Sequence, residues 1–195
     1  LTEDRVIFVP AGEFLFGNAL PEDERESQSI SIWLDDYYID RYEVSTADYA
    51  AFLEVLGRDR FGCYYHDCYL PHGPNEPLSE TISYLRNSER AAQPTWHGAY
   101  AYCQWRGGSL PTEQEWEKAM PPARFESFYS TIEWMGDAWN KVYPQETAIQ
   151  FSHLNPPSGS SAVTRANSSN PLRRGGNTDL DLVFRCVYHP QILGE

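Results

Sequence analysis

The stretch Ala101-Tyr-Cys-Gln-Trp105 followed by Arg106-Gly-Gly-Ser-Leu-Pro-Thr-Glu-Gln-Glu-Trp-Glu117 constrains the fold of this chain more than any other. It reads as two short helices joined by a tight turn. Gly107 and Gly108 supply the left-handed ending that stops the first helix after Trp105. Thr112 caps the second, and Glu115, three residues on, completes a capping box. The helix before the turn starts near Thr95 and carries Ala99, Tyr102 and Cys103 inward, and the helix after it runs from Glu113 to about Ala119. Trp105 and Trp116 are candidates for the core.

Other elements follow from period and punctuation. Val6–Val9, Ala11–Gly17, Ser29–Leu34 and Tyr37–Asp40 read as strands. Tyr49, Phe52, Leu53 and Leu56 then fall at helical spacing, with Ser45 and Asp48 as a capping pair and Gly57 as the stop. Residues 57 to about 93 read as irregular. Beyond 120, Pro121-Pro122, Asn155–Ser161 and Ser168–Pro171 mark loops, and Leu182–Tyr188 reads as a last strand. The predicted class is α+β, one domain over 1–195, with short helices around small antiparallel sheets and much loop.

The chain has 195 residues and a formal net charge of −13, with 14 Pro, 13 Gly, 6 Trp, 13 Tyr and 9 Phe. Such acidity repels phosphate backbones and argues against nucleic acid as a partner. No apolar run approaches the roughly 20 residues of a membrane span. The first residue is Leu rather than Met, which leaves room for a removed signal peptide.

Six blocks, in order, resemble one family. They are Val9-Pro-Ala-Gly-Glu-Phe14, Tyr38-Ile-Asp-Arg-Tyr-Glu-Val-Ser45, the 101–117 corner, Glu133-Trp134 with Asp137 and Trp139, Arg174-Gly-Gly176, and Phe184-Arg-Cys186. The set is similar to the formylglycine-generating enzyme (sulfatase-modifying factor) family, a variant of the C-type lectin fold. In that enzyme a pair of copper-binding catalytic cysteines lies between the "RGG" and "FR" blocks and oxidises a substrate cysteine. Here the interval is Asn177-Thr-Asp-Leu-Asp-Leu-Val183, which holds no Cys, and thiolate is the side chain suited to both Cu(I) and this redox chemistry. The His-x-x-x-His-x-Glu iron site of the related ergothioneine-type oxidases has no counterpart either. The expectation is therefore a chain that is not an enzyme, with no required cofactor.

The resemblance implies further sites. It pairs Cys103 with Cys186, a disulfide that would contribute roughly 4 kcal/mol. It suggests a local disulfide between Cys63 and Cys68, for which Cys63, His66, Cys68 and His72 as a tetrahedral zinc set remain an alternative. It places a possible calcium ion at Glu133 with Glu126 as a second donor, against the alternative of a buried, hydrogen-bonded Glu133. Two disulfides would put the chain outside the reducing cytoplasm, in a periplasmic, cell-surface or secreted location.

The function expected is a binding or assembly module, an accessory subunit or ligand-binding protein with a protein partner. The loops 57–93, 120–130 and 141–172 carry Tyr64, Tyr65, Tyr69, Tyr84, Phe125, Phe128, Tyr129 and Tyr143, and tyrosine offers large contact area with a polar tip. The alternatives are a loop-diversified receptor and an enzyme with altered chemistry, in which Asp179, Asp181, Glu133 and Asp137 could supply carboxylates.

Overall fold

The structure is a computed structural model that describes residues 4–17, 29–56, 78–87, 90–119, 132–138, 161–166, 173–177 and 182–190. Strands β1 (Val6–Val9), β2 (Gly12–Phe16), β3 (Ile30–Leu34) and β4 (Tyr37–Asp40) precede helices α1 (Thr46–Leu56), α2 (Leu78–Arg86), α3 (Trp96–Trp105) and α4 (Glu113–Ala119). Strands β5 (Ile132–Ala138), β6 (Ser161–Ala166), β7 (Arg173–Asn177) and β8 (Val187–Tyr188) follow. They form three small antiparallel sheets in the orders β1-β4-β8, β2-β3 and β5-β6-β7. The α+β expectation holds.

Local chemistry explains the helix ends. Ser45 Oγ accepts from the Asp48 amide at 3.1 Å and donates to Asp48 Oδ2 at 2.8 Å, starting α1. Thr95 Oγ1 accepts from Gly98 N at the start of α3. At the end of α3, Gly107 takes φ +80°. The Gly107 amide donates to Gln104 O at 3.0 Å and the Gly108 amide to Cys103 O at 2.9 Å, the paired bonds of a Schellman ending. The Thr112–Glu115 capping box closes in both directions, with Thr112 N to Glu115 Oε2 at 2.7 Å and Glu115 N to Thr112 Oγ1 at 3.2 Å.

Gly108 serves a second purpose. A Cβ there would stand 2.3 Å from Val187 O and 2.7 Å from the Tyr188 ring, so only hydrogen fits where the corner crosses β8. Gly108→Ala is expected to lower stability by about 1–3 kcal/mol through overpacking. A urea midpoint unchanged from the parent would refute this close approach.

The last segment, 182–190, ties these pieces together. Val183 O accepts from Trp134 N, Phe184 O from Val44 N and Cys186 O from Asp40 N, while Val187 and Ser109 exchange both amide bonds. Around it lies the main core: Tyr49, Phe52 and Leu53 from α1, Trp96, Ala99, Tyr102 and Cys103 from α3, with Leu85, Trp134, Phe184 and Cys186. The buried indoles keep partners, Trp96 Nε1 donating to Met135 O at 2.8 Å and Trp134 Nε1 to Pro94 O at 3.2 Å, as buried donors must.

Four expectations need correction. Residues 78–86 were expected to be irregular but form α2, because Ile82 and Leu85 bury against α1. Residues 161–166 carry strand β6, stabilised between β5 and β7 rather than by its own alternation. The last strand is shorter than 182–188: Val183 makes only an isolated bridge to Glu133 before β8 begins. Trp116 is in the core, but Trp105 remains 43% exposed because it sits at the end of α3 with one face on Phe52 and Tyr102.

Candidate functional site

Two fully buried arginines, Arg165 on β6 and Arg185 just before β8, collect the carboxylates of α4 and β5 together with Glu43. Arg185 meets Glu133 through both nitrogens, Nε to Oε2 at 2.7 Å and Nη2 to Oε1 at 2.9 Å, and lies 3.6 Å from Glu43. Its Nη1 donates to the carbonyls of Asp40 and Arg41. Arg165 pairs with Glu117 at 2.7 Å, lies 3.9 Å from Glu113, and stands over the Trp116 ring at 5.2 Å. Glu115, also buried, reaches His189 Nε2 at 2.9 Å, and this hydrogen bond holds the His189 pKa above its usual value. Asp137 on β5 accepts from the Glu113 amide at 2.7 Å, which adds a carboxylate to the positive end of α4. The motif carboxylates Glu133 and Asp137 thus act within the scaffold, and nothing in their spacing announced Arg165 or Arg185 as the hubs.

This geometry bears on the calcium site. Both oxygens of Glu133 face the Arg185 guanidinium, and Trp116 Nε1 donates to Oε2 at 3.4 Å. A cation at that carboxylate would sit against a fixed positive charge, so Glu133 as placed does not fit the role. Among the described residues no group of three or more His, Cys, Asp or Glu could hold a metal. Cys103 and Cys186 form the implied disulfide across 83 residues. Cys63, His66, Cys68, His72, Glu126, Asp179 and Asp181 lie outside the described residues, as do Tyr64, Tyr65, Tyr69, Phe125, Phe128, Tyr129 and Tyr143. Tyr84 is described and exposed on α2.

A concave site among the described residues is one that the sequence did not announce. A cleft of about 80 Å³ is lined by Arg5, Asp40, Ser45, Asp48, Tyr102 and Arg106, among others. It forms where residues 40–48, from the end of β4 into α1, meet the end of α3 and Arg5, so its residues come from three separated stretches. Arg5 pairs with Asp48 at 2.6 Å. Asp40 Oδ2 accepts from the Cys186 amide at 2.9 Å, and Tyr188 OH donates to Oδ1 at 3.2 Å. Arg106 Nη1 donates to Tyr102 OH at 3.2 Å. Burial raises the Asp40 pKa to about 6 against the opposing pull of the Cys186 amide, Arg106, Tyr188 and Arg185. Burial likewise pushes Tyr102 up to about 12, so its hydroxyl keeps its proton. Titrating groups displaced in a cleft are a common mark of function.

Asp40 gives a direct prediction. Its folded-state pKa lies above the unfolded value, so the folded protein holds an extra proton between about pH 4 and pH 6. Stability therefore falls as pH rises through that window, by about 3 kcal/mol from this group. Asp40→Asn resembles the protonated form and keeps an acceptor for Cys186 N. It is expected to flatten the dependence and to be at least as stable as the parent above pH 6. Urea midpoints across this range test it; a variant less stable than the parent at neutral pH would sink the assignment.

Comparison with known proteins accords with this fold. The sulfatase-modifying factor enzyme 1-like domain matches residues 1–172. The chain is 28% identical over 145 residues to the formylglycine-generating enzyme of Mus musculus, covering 58% of this chain and 38% of that protein. It is 30% identical over 145 residues to the formylglycine-generating enzyme of Thermomonospora curvata, covering 58% and 48%. Similarity extends to the uncharacterized protein YfmG of Bacillus subtilis, 29% identical over 130 residues, covering 60% and 25%. The chain thus spans less than half the length of these relatives. The expectation that it is not an enzyme is overturned: several relatives carry the name of an enzyme, and an interval without cysteine does not remove the chain from that company. On its matched residues and its fold, the chain belongs to the family of the sulfatase-modifying factor enzyme 1-like domain.

Proposed function

We propose that this domain binds a polypeptide partner at the cleft between β4, α1 and α3, and that it works outside the cytoplasm as a binding or accessory subunit on the family's enzyme scaffold. The observation that carries this reading is the surface beside the cleft. Trp105 is 43% exposed and packs 5.7 Å from Tyr102, which lines the cleft, and Arg106 follows directly. Tryptophan, tyrosine and arginine side by side on a rigid helix end are the residue types that dominate polypeptide interfaces. The buried Cys103–Cys186 disulfide supports the oxidising location. Among the described residues no helix is long and apolar enough to cross a membrane. This role is not set against catalysis, since binding a polypeptide is compatible with acting on it.

A second reading, acid–base chemistry in the same cleft, is favoured by one observation. Asp40 titrates at about 6, near the range in which a carboxyl group can both give and take a proton.

The polypeptide reading is tested by panning a displayed random-peptide library against the immobilised, oxidised domain. Enriched peptides sharing a motif are expected, and Trp105→Ser should weaken their binding at least about tenfold while leaving the folded spectrum intact. Failure to enrich any peptide over a blank surface, or peptides indifferent to Trp105, would overturn it.

A further inference from the structure

The cleft is unequal in what it leaves unfilled. Its acceptors are largely occupied: Asp48 takes Arg5 and Ser45, and Asp40 takes the Cys186 amide and Tyr188. Its donors are not. Among the described residues the Arg106 side chain makes one hydrogen bond, to Tyr102 OH, and no carboxylate comes within ion-pair distance of it. The Tyr102 hydroxyl accepts that bond, and its own proton has no acceptor among the same residues. A half-buried guanidinium and a protonated phenol therefore point their spare donors into one small cleft. We propose that this cleft is a subsite for a single carboxylate of the polypeptide partner, an Asp or Glu side chain or a chain end, held by the Arg106 guanidinium and the Tyr102 hydroxyl.

The chemistry selects among ligands. A guanidinium presents a planar fork suited to a carboxylate. A phosphate dianion fits less well, because Asp40 and Asp48 line the same cleft and about 80 Å³ leaves little distance from them. A cation is disfavoured because the acceptors are already engaged and two arginines stand at the rim.

Asp40 accommodates the guest's charge. It faces Tyr188, Arg185 and the Cys186 amide from the closing segment and Tyr102 and Arg106 from α3, with Arg5, Glu43 and Asp48 elsewhere in the cleft. Taking up a proton on Asp40 removes one of the repelling charges in the cleft, so affinity for a carboxylate should rise as pH falls towards 6.

The inference rests on the polypeptide reading, and the test separates the two. Sodium acetate, an end-blocked peptide bearing one Asp, and the same peptide with Asn are titrated into the oxidised domain, followed by shifts of the backbone amide signals around the cleft. Acetate should perturb these signals saturably in the parent and at least about tenfold more weakly in Arg106→Gln, which leaves the backbone cap intact, and in Tyr102→Phe, which keeps the ring. The Asp peptide should bind more tightly than acetate, and the Asn peptide should lose most of that affinity. Acetate that leaves the cleft signals unmoved, or moves them in both variants as strongly as in the parent, overturns the subsite even if panning yields peptides. Acetate that binds through Arg106 beside an Asp peptide that binds no better than acetate overturns the polypeptide source of the carboxylate.

Discussion

Arg185→Ala is expected to cost about 3–5 kcal/mol, because it leaves Glu133 and Glu43 as buried carboxylates with no guanidinium between them. The Asp40 and Arg41 carbonyls lose their donor in the same step. The size of the loss comes from stranded charge rather than from the worth of the pair. Removing Glu133 as well with an apolar replacement, Arg185→Met with Glu133→Leu, should therefore recover part of the loss, while Glu43 stays without the guanidinium. Arg86 and Glu54 form an ion pair with each side chain about half exposed, and Arg86→Ala should cost less than about 1 kcal/mol. Urea unfolding of the four proteins tests the set. A double variant no better than Arg185→Ala would show that the pair is needed for more than charge balance.

Loss of the Cys103–Cys186 bridge should have a comparable effect. The disulfide joins α3 to the closing segment across 83 residues, and both cysteines are fully buried in the main core. In the chain-entropy account, releasing a loop of that length lowers stability by about 4–5 kcal/mol. Cys103→Ala with Cys186→Ala, which adds no buried polar group, is the cleanest form of the experiment. A fall of less than about 1 kcal/mol would mean that the amide bonds of 182–190 to Val44, Asp40, Ser109 and Trp134 hold that segment without the covalent tie.

Some parts of the fold were legible because their causes are local. Ser45 and Asp48, Thr112 and Glu115, and Gly107 all act within one helical turn, so residue type and spacing specify them. The early strands were legible from their apolar character and turn residues. Helix α2 and strand β6 were not. Ile82 and Leu85 bury against α1, which precedes them by a long stretch, and β6 depends on partners on either side. Trp105 and Trp116 looked alike as core candidates, yet their position along a helix and the neighbours at that end separate them.

The site was less legible than the fold. The carboxylates picked as metal or acid–base candidates on β5, Glu133 and Asp137, prove to be partners of Arg185 and of the α4 amino end. The cleft gathers Arg5, Asp40, Tyr102 and Arg106 from stretches up to about a hundred residues apart, and no spacing rule links them. Resemblance to a family located the scaffold and the Cys103–Cys186 bridge, while the absence of cysteine from 177–183 pointed away from catalysis although several relatives carry the name of an enzyme.

By itself the sequence determined the 101–117 corner, the helix caps, the class and the family, since each rests on short-range sterics and hydrogen bonding or on blocks kept in order. Tertiary structure alone decided where the charges go. A guanidinium such as Arg185 or Arg106 looks the same in a sequence whether it will be walled in by two glutamates or left facing a cleft. The difference is made by which distant segments close around it, because desolvation and ion pairing depend on three-dimensional neighbours rather than on chain position.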